Sequence, residues 1–248
     1  MIRKTDKGSE MNNYKTIGII GGMGPLATYD LAEKILNNTV ADCDQGNVPV
    51  LIDCNTRIAD RTAAILHGGA DPRPEMKKSA KRLESAGADV LMMACNTAHY
   101  FYDSICEDID IPVLHMPRLT AGHLQSMGVK KAGVLATDGT CQSGVYGDAL
   151  KEAGIEPVYP SEEKQILIMS LIYDHVKAGI MDYSDLDIDG IIAEMQGKGA
   201  EVLILGCTEL PVAFDIIGRT ALPTIDPTVV LARAAVSFAG APLREMQK

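Results

Sequence analysis

Cys95 and Cys207 are the residues whose type and spacing point to chemistry, because one short pattern surrounds both. Residues 87–97 read Gly-Ala-Asp-Val-Leu-Met-Met-Ala-Cys-Asn-Thr, and residues 199–209 read Gly-Ala-Glu-Val-Leu-Ile-Leu-Gly-Cys-Thr-Glu. In each, Gly-Ala-acid leads into an apolar run that ends at a cysteine. Free cysteine is among the most buried residue types, so one such thiol reads equally well as a core residue or a reactive group. Repetition shifts the balance to chemistry, since duplication preserves geometry and gives both thiols a common target. A thiol between a strand end and a helix start also feels the positive end of the helix dipole, which is expected to lower its pKa from about 8.5. Two thiols on opposite faces of one carbon define a reaction. The thiolate on one face removes a proton, the thiol on the other returns one, and configuration inverts. The competing use of a matched pair is a disulfide switch, which needs the sulfurs within bonding distance and leaves no space for a carbon between them.

The elements that must hold these thiols follow from the hydrophobic pattern. Short apolar runs at 17–20, 49–52, 90–93, 112–114, 133–136, 202–205 and 223–225 lack polar alternation, as parallel strands covered on both faces do. Longer stretches at 26–38, 73–86, 99–107, 119–127, 146–153, 161–177, 186–198 and 229–238 predict helices. The alternation predicts an α/β fold. The repeat extends upstream, where Lys15-Thr16-Ile17-Gly18-Ile19-Ile20 is matched by Lys130-Lys131-Ala132-Gly133-Val134-Leu135. The expected architecture is two pseudosymmetric parallel-sheet α/β domains with the active site in the cleft between them. A flexible N-terminal tail covers 1–14, the first domain 15–117 and the second 118–225, with 226–248 packing back on the first. Ligands in open α/β sheets sit beyond the carboxyl ends of strands, which is where both cysteines would meet.

Composition removes several classes. With 23 Lys and Arg against 33 Asp and Glu in 248 residues, the net charge of −10 repels nucleic acid on average. No apolar run reaches the roughly 18 to 20 residues of a membrane helix; the best, 228–243, is cut by Arg233, Gly240 and Pro242. The first 14 residues carry Arg3, Lys4 and Lys7 without an apolar stretch behind them, unlike a secretory signal. Six cysteines with no Cys-x-x-Cys spacing suggest reduced thiols and a cytoplasmic protein, and no His/Asp/Glu group has metal-ligand spacing. Gly21-Gly22-Met23-Gly24 fails the dinucleotide fingerprint because Ala27 stands where the third glycine belongs.

Five motifs in order resemble the aspartate/glutamate racemase family, most closely its aspartate racemase branch. They are Ile-Ile-Gly-Gly-Met-Gly-Pro-Leu-Ala-Thr at 19–28; Asn55 followed by Asp60-Arg61-Thr62; Met-Ala-Cys-Asn-Thr-Ala-His-Tyr at 93–100; Ile172-Tyr173 with Lys177-Ala178-Gly179; and Leu-Gly-Cys-Thr-Glu-Leu at 205–210. The resemblance implies an amino-acid racemase that uses neither pyridoxal phosphate nor another cofactor, acts on a small and acidic amino acid, and forms a homodimer. Carried over by motif, Cys95 and Cys207 become the two acid/base residues. Asn96, Thr97 and Thr208 hold the amino-acid head group, Arg61 and Lys177 bind carboxylates, and Met23 forms a wall. Ala59, where the family usually has proline, is a departure that leaves Arg61 in place and affects the path of its loop.

The remaining candidates stand behind these. Glu209 either manages the proton of Cys207 or caps a helix; Tyr173, one turn before Lys177, lines the cleft or packs; His115, at a strand end, is expected at the level of the cleft, behind the residues that touch the substrate. His99 reads as a helix residue, and Cys141 is the one other cysteine expected near the site. L- and D-aspartate, or glutamate, are the expected substrates. The alternatives are a broad-specificity racemase, a cysteine-dependent dicarboxylate isomerase or decarboxylase, and a ligand-binding redox switch.

Overall fold

A computed structural model describes residues 13–218 and 220–245, so the tail expected at 1–14 lies outside the described residues except for Asn13 and Tyr14. Strands β1 (Ile17–Gly21), β2 (Val50–Cys54), β3 (Val90–Met93) and β4 (Val113–Leu114) pair in parallel in the order β2-β1-β3-β4. Strands β5 (Lys131–Leu135), β6 (Glu156–Val158), β7 (Val202–Leu205) and β8 (Thr224–Ile225) pair in parallel in the order β6-β5-β7-β8. The two orders are one topology used twice, with β3 and β7, the strands that lead to the cysteines, in equivalent places. The hydrophobic pattern misses β6, an edge strand of three residues that includes Glu156 and Pro157 and so has no apolar run to find.

The repeated residues have repeated work. Gly18 pairs with Leu91 in register, and a Cβ there would sit 2.5 Å from Leu91 Cδ2 and 3.0 Å from Ala88 Cβ. Gly133 pairs with Leu203, and its Cβ would meet Leu203 Cδ2 at 2.8 Å and Ala200 Cβ at 3.4 Å. The glycine, alanine and leucine of each copy are therefore one packing solution in which the side chains of β3 or β7 fill the space over the neighbouring strand. The acid holds the start of that strand: Asp89 Oδ2 accepts from Thr16 N at 2.7 Å, and Glu201 accepts from Lys130 N at 3.3 Å.

Alternate residues of the central strands enter cores on opposite faces of each sheet. Ile17, Ile19, Val90 and Met92 join one core of the first sheet, and Ile20, Leu91 and Met93 join the other. Both faces are covered, which is why these runs show no polar alternation. The helix Pro227–Ala239 buries Leu231, Ala232, Ala235 and Val236 against Leu31 and Ile35 of the helix Pro25–Asn38, so the chain returns to its first half. The helix Met116–Ser126 packs on Pro227–Ala239 and also on Val145–Glu152, joining the halves. Among the described residues no helix is long and apolar enough to cross a membrane.

Candidate active site

Cys95 and Cys207 each lie two residues beyond a strand end and line one cavity between the two sheets. The approach to both is equivalent: Ala94 N donates to Ile20 O at 3.1 Å and Gly206 N donates to Leu135 O at 2.7 Å, so each thiol leaves the sheet beside its central strand. Both are buried. The space they share admits the centre of a water-sized sphere over about 10 Å³, close to what a single water requires.

Around Cys207 the contacts are acidic. Its Sγ donates to Glu209 Oε2 at 2.9 Å, and the Thr208 hydroxyl donates to the same oxygen at 3.1 Å. Glu209 Oε1 pairs with Lys177 Nζ at 3.0 Å. Burial, and then the Glu209 carboxylate, push the Cys207 thiol well above its ordinary pKa. This reverses the shift expected from the helix dipole, because a desolvated thiol beside a carboxylate outweighs the partial charge of the short helix Leu210–Ile217. Lys177 is raised above the usual lysine value; burial works against its charge, and Glu209 more than offsets that.

Lys177 reaches the site from a π-helical turn, Leu171–Val176, in which Lys177 N donates to Ile172 O at 3.0 Å. The extra residue in this turn re-aims the side chains of one helix face, as such bulges do at functional sites. Tyr173, on the same turn, lines the cavity, and Lys177 Nζ lies 5.2 Å from its ring centroid.

Around Cys95 the charge is positive. Arg61 Nη2 donates to Met23 O at 2.7 Å and Nη1 donates to Ala59 O at 3.1 Å. Any residue supplies that second carbonyl, so alanine at 59 is compatible with the loop's path. The Arg61 pKa is raised: burial opposes its charge, and the neighbouring Cys95, by charge and hydrogen bond, overcomes that. Arg61 is 9% exposed, and its Nε has no partner. Met23, at the tip of the glycine loop, is buried and forms a wall of the cavity. Gly22 makes the loop's path possible, with φ of +86° and a backbone so close to Asn55 that a Cβ would fall within 2.3 Å of it.

The two polar residues after Cys95 are held from the second half. Tyr146 donates to Asn96 Oδ1 at 2.5 Å, leaving the buried Asn96 Nδ2 without a partner. Thr97 Oγ1 lies 2.7 Å from Thr140 Oγ1 and 3.1 Å from Thr137 Oγ1, in a buried triangle of hydroxyls. Thr97 lines the cavity, yet its hydroxyl is engaged across the domain boundary rather than directed to a ligand alone. Asn96 and Thr97 lead into a 3-10 turn, Thr97–Phe101, before the short helix Tyr102–Cys106, where one helix was expected over 99–107; neither caps it by side chain.

Two of the candidates lie outside the cavity lining. His115 is not among the residues lining the cavity; it caps the helix Met116–Ser126 and packs tilted against His99 and edge-on to Tyr102, with ring centroids 5.0 and 4.6 Å away. Cys141 lies in a separate surface cleft with Tyr159 and Gln165, where burial and then Asp138 push its thiol up to about 12. His99 is a strut: Nε2 accepts from Met116 N at 3.1 Å, which leaves Nδ1 to donate to Cys95 O at 3.0 Å. Thr137 lines the cavity without having belonged to any motif, and Thr62 and Asp60, which flank Arg61 in its motif but were given no role, line it too, the Asp60 carboxylate capping the helix Arg61–Leu66. The signal for Thr137 was its place just after β5, equivalent to the glycine loop after β1. No group of three or more His, Cys, Asp or Glu among the described residues is arranged to hold a metal ion.

With two matched half-folds and a thiol from each in one cavity, the chain belongs to the Asp/Glu/hydantoin racemase family, whose model matches residues 20–235, and so to the isomerases. It is 30% identical over 232 residues to the broad specificity amino-acid racemase RacX of Bacillus subtilis, spanning 89% of this chain and 96% of that one. It is 29% identical over 169 residues to the glutamate racemase of Persephonella marina, spanning 64% and 61%. Among solved structures, the aspartate racemase of Picrophilus torridus matches with a TM-score of 0.80 at 34% identity, covering 93% of this chain and 96% of the other. The glutamate racemase of Francisella tularensis, solved with D-glutamate, shares the fold, with a TM-score of 0.63 at 18% identity over 91% of this chain and 80% of that one.

Proposed function

We propose that this protein racemises an amino acid without a cofactor, by proton transfer at Cα between Cys95 and Cys207. The observation that carries the reading is that the thiols ending two equivalent strands line one buried cavity. The α-carboxylate is bound by Arg61 Nε and Asn96 Nδ2, buried N–H donors that lack partners. An unsatisfied buried donor costs about 1–3 kcal/mol, which the carboxylate's arrival offsets. Positive charge there also stabilises the negative charge that grows as the Cα proton leaves. Cys95, beside the Arg61 guanidinium, acts first as base; Cys207, hydrogen-bonded to Glu209, acts first as acid. After one turnover the roles are exchanged, and the reverse reaction runs through the same atoms.

Aspartate is the first substrate to test, since Arg61 and Lys177 supply two cations for two carboxylates. A second reading, broad side-chain tolerance, is favoured by one observation: Lys177 is already paired with Glu209, so a second carboxylate must compete for it. RacX, a relative of this chain, carries that breadth in its name. The test is proton NMR in D2O with L-aspartate, L-glutamate, L-alanine and maleate, without added pyridoxal phosphate or metal, followed by chiral analysis. Loss of the Cα signal with the D-enantiomer appearing supports racemisation and ranks the substrates. Consumption of maleate without any exchange would move the assignment to a dicarboxylate isomerase.

A further inference from the structure

We propose that the pocket across the Lys177–Glu209 ion pair from the catalytic cavity receives the substrate's side chain, and that it selects aliphatic side chains longer than that of aspartate. The inference rests on the racemase reading above and names the substrate class that the same site takes.

The cavity between the thiols has room for about one water and none for a side chain. The adjoining pocket offers about 250 Å³ by the same measure, and Lys177, Thr208 and Glu209 line both spaces. A substrate whose Cα lies between Cys95 and Cys207 and whose carboxylate meets Arg61 and Asn96 therefore has its free volume beyond that shared wall. The other walls are apolar: Pro25, Leu26 and Ala27 come from the start of one helix, and Val176 and Val212 from the second half. Leu26 remains 60% exposed at this pocket, a large apolar side chain that folding leaves uncovered. The pocket's own carboxylate, Asp30, is bonded to Lys34 at 2.6 Å, and its lysine, Lys177, is bonded to Glu209. Lys34 lies outside the pocket and is shared with Asp226 at 2.7 Å, so the pocket offers a second carboxylate no free cation and favours a neutral chain. For a side chain to enter, Lys177 must swing off Glu209 at the shared wall, while Glu209 keeps its hydrogen bonds to Cys207 and Thr208.

The experiment compares Cα deuterium exchange of L-methionine, L-alanine and L-aspartate by the wild type, Val212→Trp and Leu26→Ser. Val212 fills the pocket when enlarged and does not line the catalytic cavity; Leu26 is exposed, so its replacement leaves folding intact. The expected result is that the wild type turns over methionine. Val212→Trp then lowers kcat/KM for methionine about tenfold or more while alanine stays within about twofold, the discrimination a pocket achieves on methylene-sized differences. Leu26→Ser lowers methionine alone, by less. An equal fall for methionine and alanine would make the pocket a passage and overturn the proposal. So would turnover of alanine or aspartate without methionine, or the absence of any change in both variants. Exchange with no amino acid would overturn the racemase reading itself, and is distinguishable from failure of the side-chain pocket alone.

Discussion

Replacing Glu209 by Gln tests how the protein keeps Cys207 protonated. In the wild type one carboxylate accepts from the Cys207 thiol at 2.9 Å, accepts from Thr208 at 3.1 Å and pairs with Lys177 at 3.0 Å. Its negative charge opposes formation of a thiolate in a site where burial already opposes it. Glutamine keeps the size and loses the charge, and Lys177 is then left to favour the thiolate. A hydrogen bond to a charged group is worth about 1.5–3 kcal/mol, so losing the charged acceptor is expected to lower the Cys207 pKa. Cys207 then loses its proton at lower pH, so the alkaline limb of exchange, in the direction where Cys207 is the acid, moves to lower pH. Two assays read it. The pH profile of Cα deuterium exchange gives the limb, and iodoacetamide labelling of Cys207 across pH, followed by mass spectrometry, gives the thiolate fraction. If both profiles of Glu209→Gln coincide with those of the wild type, Glu209 serves packing or Lys177 alone and the account of the resting proton is wrong.

Cys95→Ala and Cys207→Ala are each expected to lower racemisation by about 10²–10⁴ while keeping solvent exchange for the enantiomer whose proton faces the surviving thiol; chiral chromatography alongside NMR separates the two. Arg61→Lys is expected to lower kcat/KM by about ten- to hundredfold, since one ammonium cannot serve the carbonyls of Met23 and Ala59 and a carboxylate together; circular dichroism shows whether the fold survives. Burial, with a smaller contribution from His115, lowers the His99 pKa to about 3 from an ordinary value near 6.5. The stability it contributes is complete above about pH 6.5 and is lost as pH falls towards 3, about 2 kcal/mol of it by pH 5. Thermal unfolding at pH 7 and pH 5 reads this, and His99→Gln, less stable at pH 7, is expected to lose that much less between them.

The candidate site was legible where the chain carries its own label. Gly-Ala-acid, the apolar run and the cysteine recur because each residue answers a local packing need, with Ala88 and Leu91 over Gly18 and Ala200 and Leu203 over Gly133. His115 shows where a local reading stops. A strand-end position predicts the level of a residue in the sheet, while the direction of its ring is decided by what it caps and packs on, here Arg118 N, His99 and Tyr102. Thr97 was read as a ligand for the head group, and its engagement with Thr137 and Thr140 depends on a contact between halves that no local pattern encodes.

By itself the sequence determined the repeated α/β topology and marked Cys95 and Cys207 as the matched pair that the fold brings to one cavity, because strand period, packing complementarity and side-chain type are local properties. Only the tertiary structure decided the surroundings of those thiols. Desolvation and Glu209 set Cys207 against the helix dipole, Arg61 stands by Cys95, and Lys177, carried by a π-helical turn, is engaged before any substrate arrives. Those outcomes depend on burial and on distances of about 3 Å between residues far apart in the chain, at which electrostatic energies change by more than the propensities that a sequence reports.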